Sequence, residues 1–217
     1  DRNVYELTDG GYTFISGNFD SPPEILPLVY KNFPAVAIIN KSTLIIAGKN
    51  LVVCKIRKSK NHAFFKDRLF SSENDKIYFS ASNLDAELSG TASDYSHEGE
   101  LDAGDRVISL IPYKNYLLVV CAHSLKKLTP NYETDSFEFT DLGIKLGGVK
   151  ENTVLNFENE TLFVCGNSLL TFSNDVDTVG KYLSENNYEV CGEAVRVKDY
   201  YFLPVKTGEE KYFYVYK

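Results

Sequence analysis

Few residues in this chain have the type and spacing that chemistry needs. Its three histidines, His62, His97 and His123, stand far apart, and none lies at metal-ligand spacing beside a cysteine. No nucleophile elbow, phosphate-binding glycine loop, dinucleotide fingerprint or zinc-protease helix motif occurs. Carboxylates crowd one stretch: Asp85, Glu87, Asp94, Glu98, Glu100, Asp102 and Asp105. A glycosidase needs two of them facing each other across a pocket, whereas seven in one polar stretch describe a solvated loop. Asn174 to Gly180 has a faint calcium-loop pattern but lacks a third oxygen ligand at the proper offset and a closing Glu, which makes it a turn. No catalytic residue, cofactor or metal is therefore expected.

The cysteines give the same answer. Cys54, Cys121, Cys165 and Cys191 each follow Val, and the first three end apolar runs. Free Cys in such a run is a small hydrophobe, so Cys54, Cys121 and Cys165 are expected to be buried and unbridged in an intracellular protein. Net charge is −7, and the one dense basic run, Lys55 to Lys60, reads as a turn. Counterion release from phosphates needs clustered Lys and Arg, so no specific nucleic-acid binding is expected. No window reaches the apolar length of a membrane span. The chain begins at Asp1 rather than Met, as a fragment or processed product would.

What must position any functional residue is a repeat. Leu44 to Leu51, Leu118 to Leu125 and Leu162 to Leu169 align without a gap as apolar run, two small residues, a polar pair and Leu. The run is short and often β-branched, and the polar pair makes a turn, so each octet is a β-hairpin. Looser copies centre on Leu69 and Phe202. The 15 Tyr and 14 Phe, against no Trp or Met, suit pleated half-buried strands. A recurrence of about 40–45 residues with four strands per unit is the pattern of propeller blades.

The expected fold is all-β: a small β-propeller of about five four-stranded blades in one domain over 1–217. A twisted β-sandwich is the alternative. The interval from Leu44 to Leu69 implies one abbreviated blade. Val4 to Leu7 and Tyr12 to Ile15 form a hairpin, and Tyr5 to Leu7 pairs with Tyr212 to Tyr216 to remove the open edge. Ser21 to Leu26 and Val179 to Asn186 are the two places for a short helical turn.

One region resembles a known family. His62 to Phe70 with Lys76 to Ser80, then Gly104 to Pro112, Leu117 to Cys121 and Ser124 to Leu128, is similar to a blade of the propeller proteins in phage tail tubes and neck hubs. The likeness covers Ala63 to Thr129, and the chain is short for that family. It implies a structural virion subunit, in the virion or host cytoplasm, whose partners are copies of itself or neighbouring virion proteins. It carries no catalytic residues.

Function is thus expected in protein–protein contact, with neither nucleic acid nor membrane as partner. Two alternatives are a bacterial cytoplasmic propeller scaffold that binds a peptide or other ligand, and a propeller glycosidase. The longest polar insertion, Leu84 to Asp105, supplies the candidate binding loop through Asp94, Tyr95, His97, Glu98, Glu100 and Asp102.

Overall fold

The computed structural model describes residues 3–217 except 9–10, 18, 20, 31–32, 42, 49–50, 57, 81–98, 114, 132–135, 158–159, 181–182 and 184–186. The chain divides into two compact units, Asp1–Asp102 and Ala103–Lys217. No helix among the described residues is long and apolar enough to cross a membrane.

The first unit opens with the expected hairpin, β1 (Val4–Thr8) and β2 (Gly11–Ser16). Sheet I follows as an antiparallel meander of β3 (Glu24–Tyr30), β4 (Phe33–Asn40), β5 (Thr43–Ala47) and β6 (Leu51–Lys55). Its middle strands are apolar at successive positions because both faces are covered. Ile38 and Ile45 meet Phe19, Val4 and Ile15, while Ala37, Ile39, Leu44 and Ile46 share a core with Leu69. Leu69 belongs to sheet II, formed by β7 (Lys60–Phe65), β8 (Arg68–Glu73), β9 (Lys76–Phe79) and β10 (Gly99–Asp102).

The second unit repeats the motif. Sheet III runs through β11 (Val107–Pro112), β12 (Leu117–Cys121), β13 (Ser124–Asn131) and β14 (Ser136–Lys145). Sheet IV comprises β15 (Leu155–Phe157), β16 (Glu160–Cys165), β17 (Ser168–Phe172) and β18 (Val176–Gly180). Ile108, Leu118, Val120 and Leu125 pack with Phe163 and Phe172 between these two sheets. Sheet V contains β19 (Glu189–Val190), β20 (Val195–Val197), β21 (Tyr200–Thr207) and β22 (Glu210–Tyr216). The expected fold class is thus met as five propeller-type sheets, and the three octets are antiparallel hairpins.

Three expectations need correction. Glu24, Ile25 and Leu26 open strand β3 rather than a helical turn. Pro27 is tolerated there because β3 lies at the edge of its sheet, where a missing N–H breaks no ladder. Taking Ser21 to Leu26 as a helical turn hid β3 and shifted the count by a strand. Leu44 lies on the third strand of sheet I, whereas Leu69, Leu118 and Leu162 lie on the second strands of theirs. Sheets I and II are both complete, so the short interval between Leu44 and Leu69 reflects that offset and no abbreviated blade. Finally, the expected pairing of Tyr5 to Leu7 with Tyr212 to Tyr216 is not among the strand pairs of the described residues. β1 pairs with β2, and β22 pairs with β21. Of the second helical candidate, Val179 and Gly180 close β18, while 181–182 and 184–186 lie outside the described residues.

Candidate functional site

The surface that stands out is built by the last strands. β19 and β20 follow one another along the same side of β21, Glu189 opposite Lys206 and Val195 opposite Phe202. Sheet V is therefore three strands wide where sheets I to IV are four. Between β19 and β20 the Cys191 N–H still donates to the Pro204 carbonyl at 3.0 Å, which keeps the interrupted strand in line.

Side chains alternate across β21. Tyr201, Leu203 and Val205 turn inward and pack with Leu162, Val164 and Leu169 of sheet IV. The Tyr201 hydroxyl donates to the Thr153 carbonyl at 2.8 Å, and burial raises its pKa. Arg196 fixes the same junction, donating to the Asn156 carbonyl at 2.9 Å and lying over the Phe157 ring.

The opposite face is apolar, and several of its side chains are exposed. Val195, Phe202 and Val215 face one another across the three strands, and Phe213 lies opposite Pro204. Phe213 is 68% exposed, Val195 52%, Val197 51% and Val215 48%. Tyr200 and Phe202 extend the patch as a ring pair, and Phe202 meets Phe213 edge-on. Its rim is charged: Lys206 pairs with Glu189 at 3.1 Å, and the Lys217 ammonium sits over the Tyr200 ring at 5.4 Å. Single exposed hydrophobes are ordinary, but a contiguous apolar patch with a polar rim has the form of a protein contact site.

The loop expected to bind gives less. Asp94, Tyr95, His97 and Glu98 lie outside the described residues. Glu100 and Asp102 lie on β10 rather than in a loop, and both pair with Lys76, at 3.6 and 2.9 Å. The Asp102 hydrogen bond, foremost, raises the Lys76 pKa. Gly99 opens β10 under the Phe79 ring, where a Cβ would fall 2.2 Å from Cζ. Asp105 is a turn anchor, accepting from the His123 N–H at 2.8 Å and the Ser124 hydroxyl at 2.9 Å. No group of three or more His, Cys, Asp or Glu suited to a metal occurs among the described residues. Cys121, Cys165 and Cys191 are free. Cys121 is buried as expected, Cys165 is only half-buried, and the environment of Cys54 is outside the described side chains.

One polar arrangement was not foreseen. His62 on β7 contacts Glu24 through Nδ1 at 2.6 Å and Ser59 through Nε2 at 3.1 Å. The order of groups is that of a hydrolytic triad. A general base there must also reach a leaving group, and the His62 side chain is only 3% exposed. The contacts instead tie β3 to β7 across sheets I and II. Residues 38 apart in sequence give no spacing signal, which is why the sequence did not announce this cluster.

No protein-family model and no curated protein matches this chain. Among solved structures, an auxiliary nutrient binding protein from Bacteroides ovatus aligns with a TM-score of 0.51 and 10% identity over 81% of this chain and 51% of that one. The likeness is one of fold, and the chain spans about half the length of that relative. The N-terminal domain of Nup159 (TM-score 0.45, 16% identity, 73% of this chain and 44% of that one) and BBS1N in complex with ARL6DN (0.47, 12%, 90% and 66%) are more distant. Only the first bears on the fold.

Proposed function

We propose that this chain is a non-enzymatic structural subunit that docks to other protein subunits through the outer face of sheet V, as a component of a tailed-phage tail or neck. The observation that carries the contact is the uncovered patch of Val195, Val197, Phe202, Phe213 and Val215. Water beside these side chains is released when a protein face covers them, at about 25 cal/mol per Å² of apolar area. The tail or neck setting, in the virion or the host cytoplasm, is supported by the blade-like stretch Ala63 to Thr129. That stretch spans β7 to β13, with Leu117–Cys121 coinciding with β12. Val197→Asp tests the reading. The substitution leaves the isolated fold within about 0.5 kcal/mol of the parent, because the site is on the surface. Tails purified from a producing host should contain the parent chain and lack the variant. Full incorporation of Val197→Asp, or absence of the parent chain from the particles, would overturn it.

A further inference from the structure

We infer that Lys206 and Lys211 form a two-ammonium clasp on the outer face of sheet V, and that it seats a carboxylate of the docking protein. It rests on the protein-contact reading above and names the partner's chemistry: an acidic side chain beside an apolar surface.

Register sets the two lysines side by side. Gly208 and Glu209 form a two-residue turn, Gly208 at φ 60°, with Thr207 opposite Glu210 and Lys206 opposite Lys211. Glycine at the first turn position suits a hairpin whose twist matches its strands. The closing pair of a two-residue hairpin is hydrogen-bonded, so the next pair is of the closer kind, with Cα atoms about 4.5 Å apart. Lys206 is two residues from Pro204 and Lys211 two from Phe213, so alternation sets both on the outer face.

Like charges directly opposite each other across strands destabilise a sheet. Other strand lysines here face carboxylates. Lys76 lies between Glu73 and Asp102, and Lys126 lies opposite Asp141. Lys206 has Glu189 on its other side, with nitrogen and oxygen 3.1 Å apart. Among the described residues no carboxylate pairs with Lys211. The Glu210 carboxylate accepts instead from the Tyr212 hydroxyl. The row Glu189, Lys206, Lys211 therefore carries excess positive charge, in a chain whose net charge is −7. Groups held against the stability of their own fold are characteristic of functional sites.

The surroundings decide which anion fits. Phosphate backbones are held by clustered Lys and Arg. Here the clasp is followed by Phe213 and Val215 along β22, and by Pro204 and Phe202 along β21. A protein surface meets both halves, with a carboxylate at the lysines and apolar side chains on Phe213 and Val215. Alternate residues of a strand are about 7 Å apart, which is the spacing the partner must match. The carboxylate turns a repulsive pair into one anion shared by two ammonium groups. The apolar contacts beside it exclude water and strengthen the attraction.

The test uses the whole chain and Lys211→Gln, which removes one ammonium and leaves the Glu189–Lys206 pair. The variant should unfold at a higher denaturant midpoint than the parent in low salt, with the gain lost in high salt. Poly-glutamate is the carboxylate probe, set against double-stranded DNA and phosphatidylserine vesicles. The parent should prefer poly-glutamate, and Lys211→Gln should bind it about tenfold more weakly. Lys145→Gln, which removes the same charge from sheet III, should bind like the parent. Unchanged poly-glutamate binding by Lys211→Gln, or a parent that prefers DNA or vesicles, would overturn the clasp. Equal incorporation of parent and Lys211→Gln into tails removes the clasp alone. Lysine-dependent poly-glutamate binding by a chain absent from tails removes the proposed function alone.

Discussion

Strands β12 and β22 read alike and live differently. Leu117-Leu118-Val119-Val120-Cys121 is buried at every position, on both faces. Tyr212-Phe213-Tyr214-Val215-Tyr216 is as apolar on paper, yet its outer face meets solvent. Apolar content at successive positions says that a strand is built for two covered faces. It does not say what covers the second one. For β12 the cover is within the unit; on the outer face of β22, Phe213 is 68% and Val215 48% exposed.

That difference can be broken by mutation. Leu118→Ala leaves a cavity in a sealed core and should cost about 2–5 kcal/mol, read as a lowered denaturant midpoint with unchanged slope. A loss below about 1 kcal/mol would mean that β12 is not the sealed strand described. Tyr201→Phe keeps the ring but strips the Thr153 carbonyl of its donor at the junction of sheets IV and V, and should cost about 1–3 kcal/mol. No change would show that water replaces the hydroxyl there. Phe213→Ser, on the uncovered face, should move the midpoint of the isolated chain by no more than about 0.5 kcal/mol. A large loss would mean that the outer face is already covered.

The cysteines sharpen the same contrast through pH. Burial, ahead of the nearby Asp105 charge, raises the Cys121 thiol to about 12 from an ordinary value of 9.0. The native state therefore keeps a proton that the unfolded chain loses above pH 9. The associated stability is complete below that pH and declines as pH rises toward 12. At pH 8, Cys191 should react quickly with a thiol reagent and Cys121 only after unfolding. Equal native reactivity of both would contradict the burial of β12.

Most of the architecture was legible because it is local. Octets such as Leu118 to Leu125 hold an apolar run, a tight turn and the next strand within eight residues, and each became a hairpin. β3 was hidden because Pro22 and Pro23 precede it and Pro27 interrupts it, and a proline's meaning depends on whether its strand lies at an edge. The pairing of the first strand with the last was inferred from the need to close an edge, a requirement that names no residues. The binding site was sought in the longest polar insertion, but Glu100 and Asp102 proved to be strand residues neutralised by Lys76. The outer face of sheet V was present in the sequence as Val195, Val197, Phe202, Phe213 and Val215. Its exposure was not, because exposure is a property of what lies opposite a sheet.

The central claim is that this face is covered by protein when the chain works. Amide hydrogen exchange followed over Val195–Val197 and Glu210–Tyr216, in the dilute chain and in the assembly proposed above, tests it most directly. The amides of Val195–Val197 and Glu210–Tyr216 should exchange more slowly in the assembly than in the dilute chain, while those of β12 stay protected in both. Equal exchange of these segments in the two states would contradict the claim.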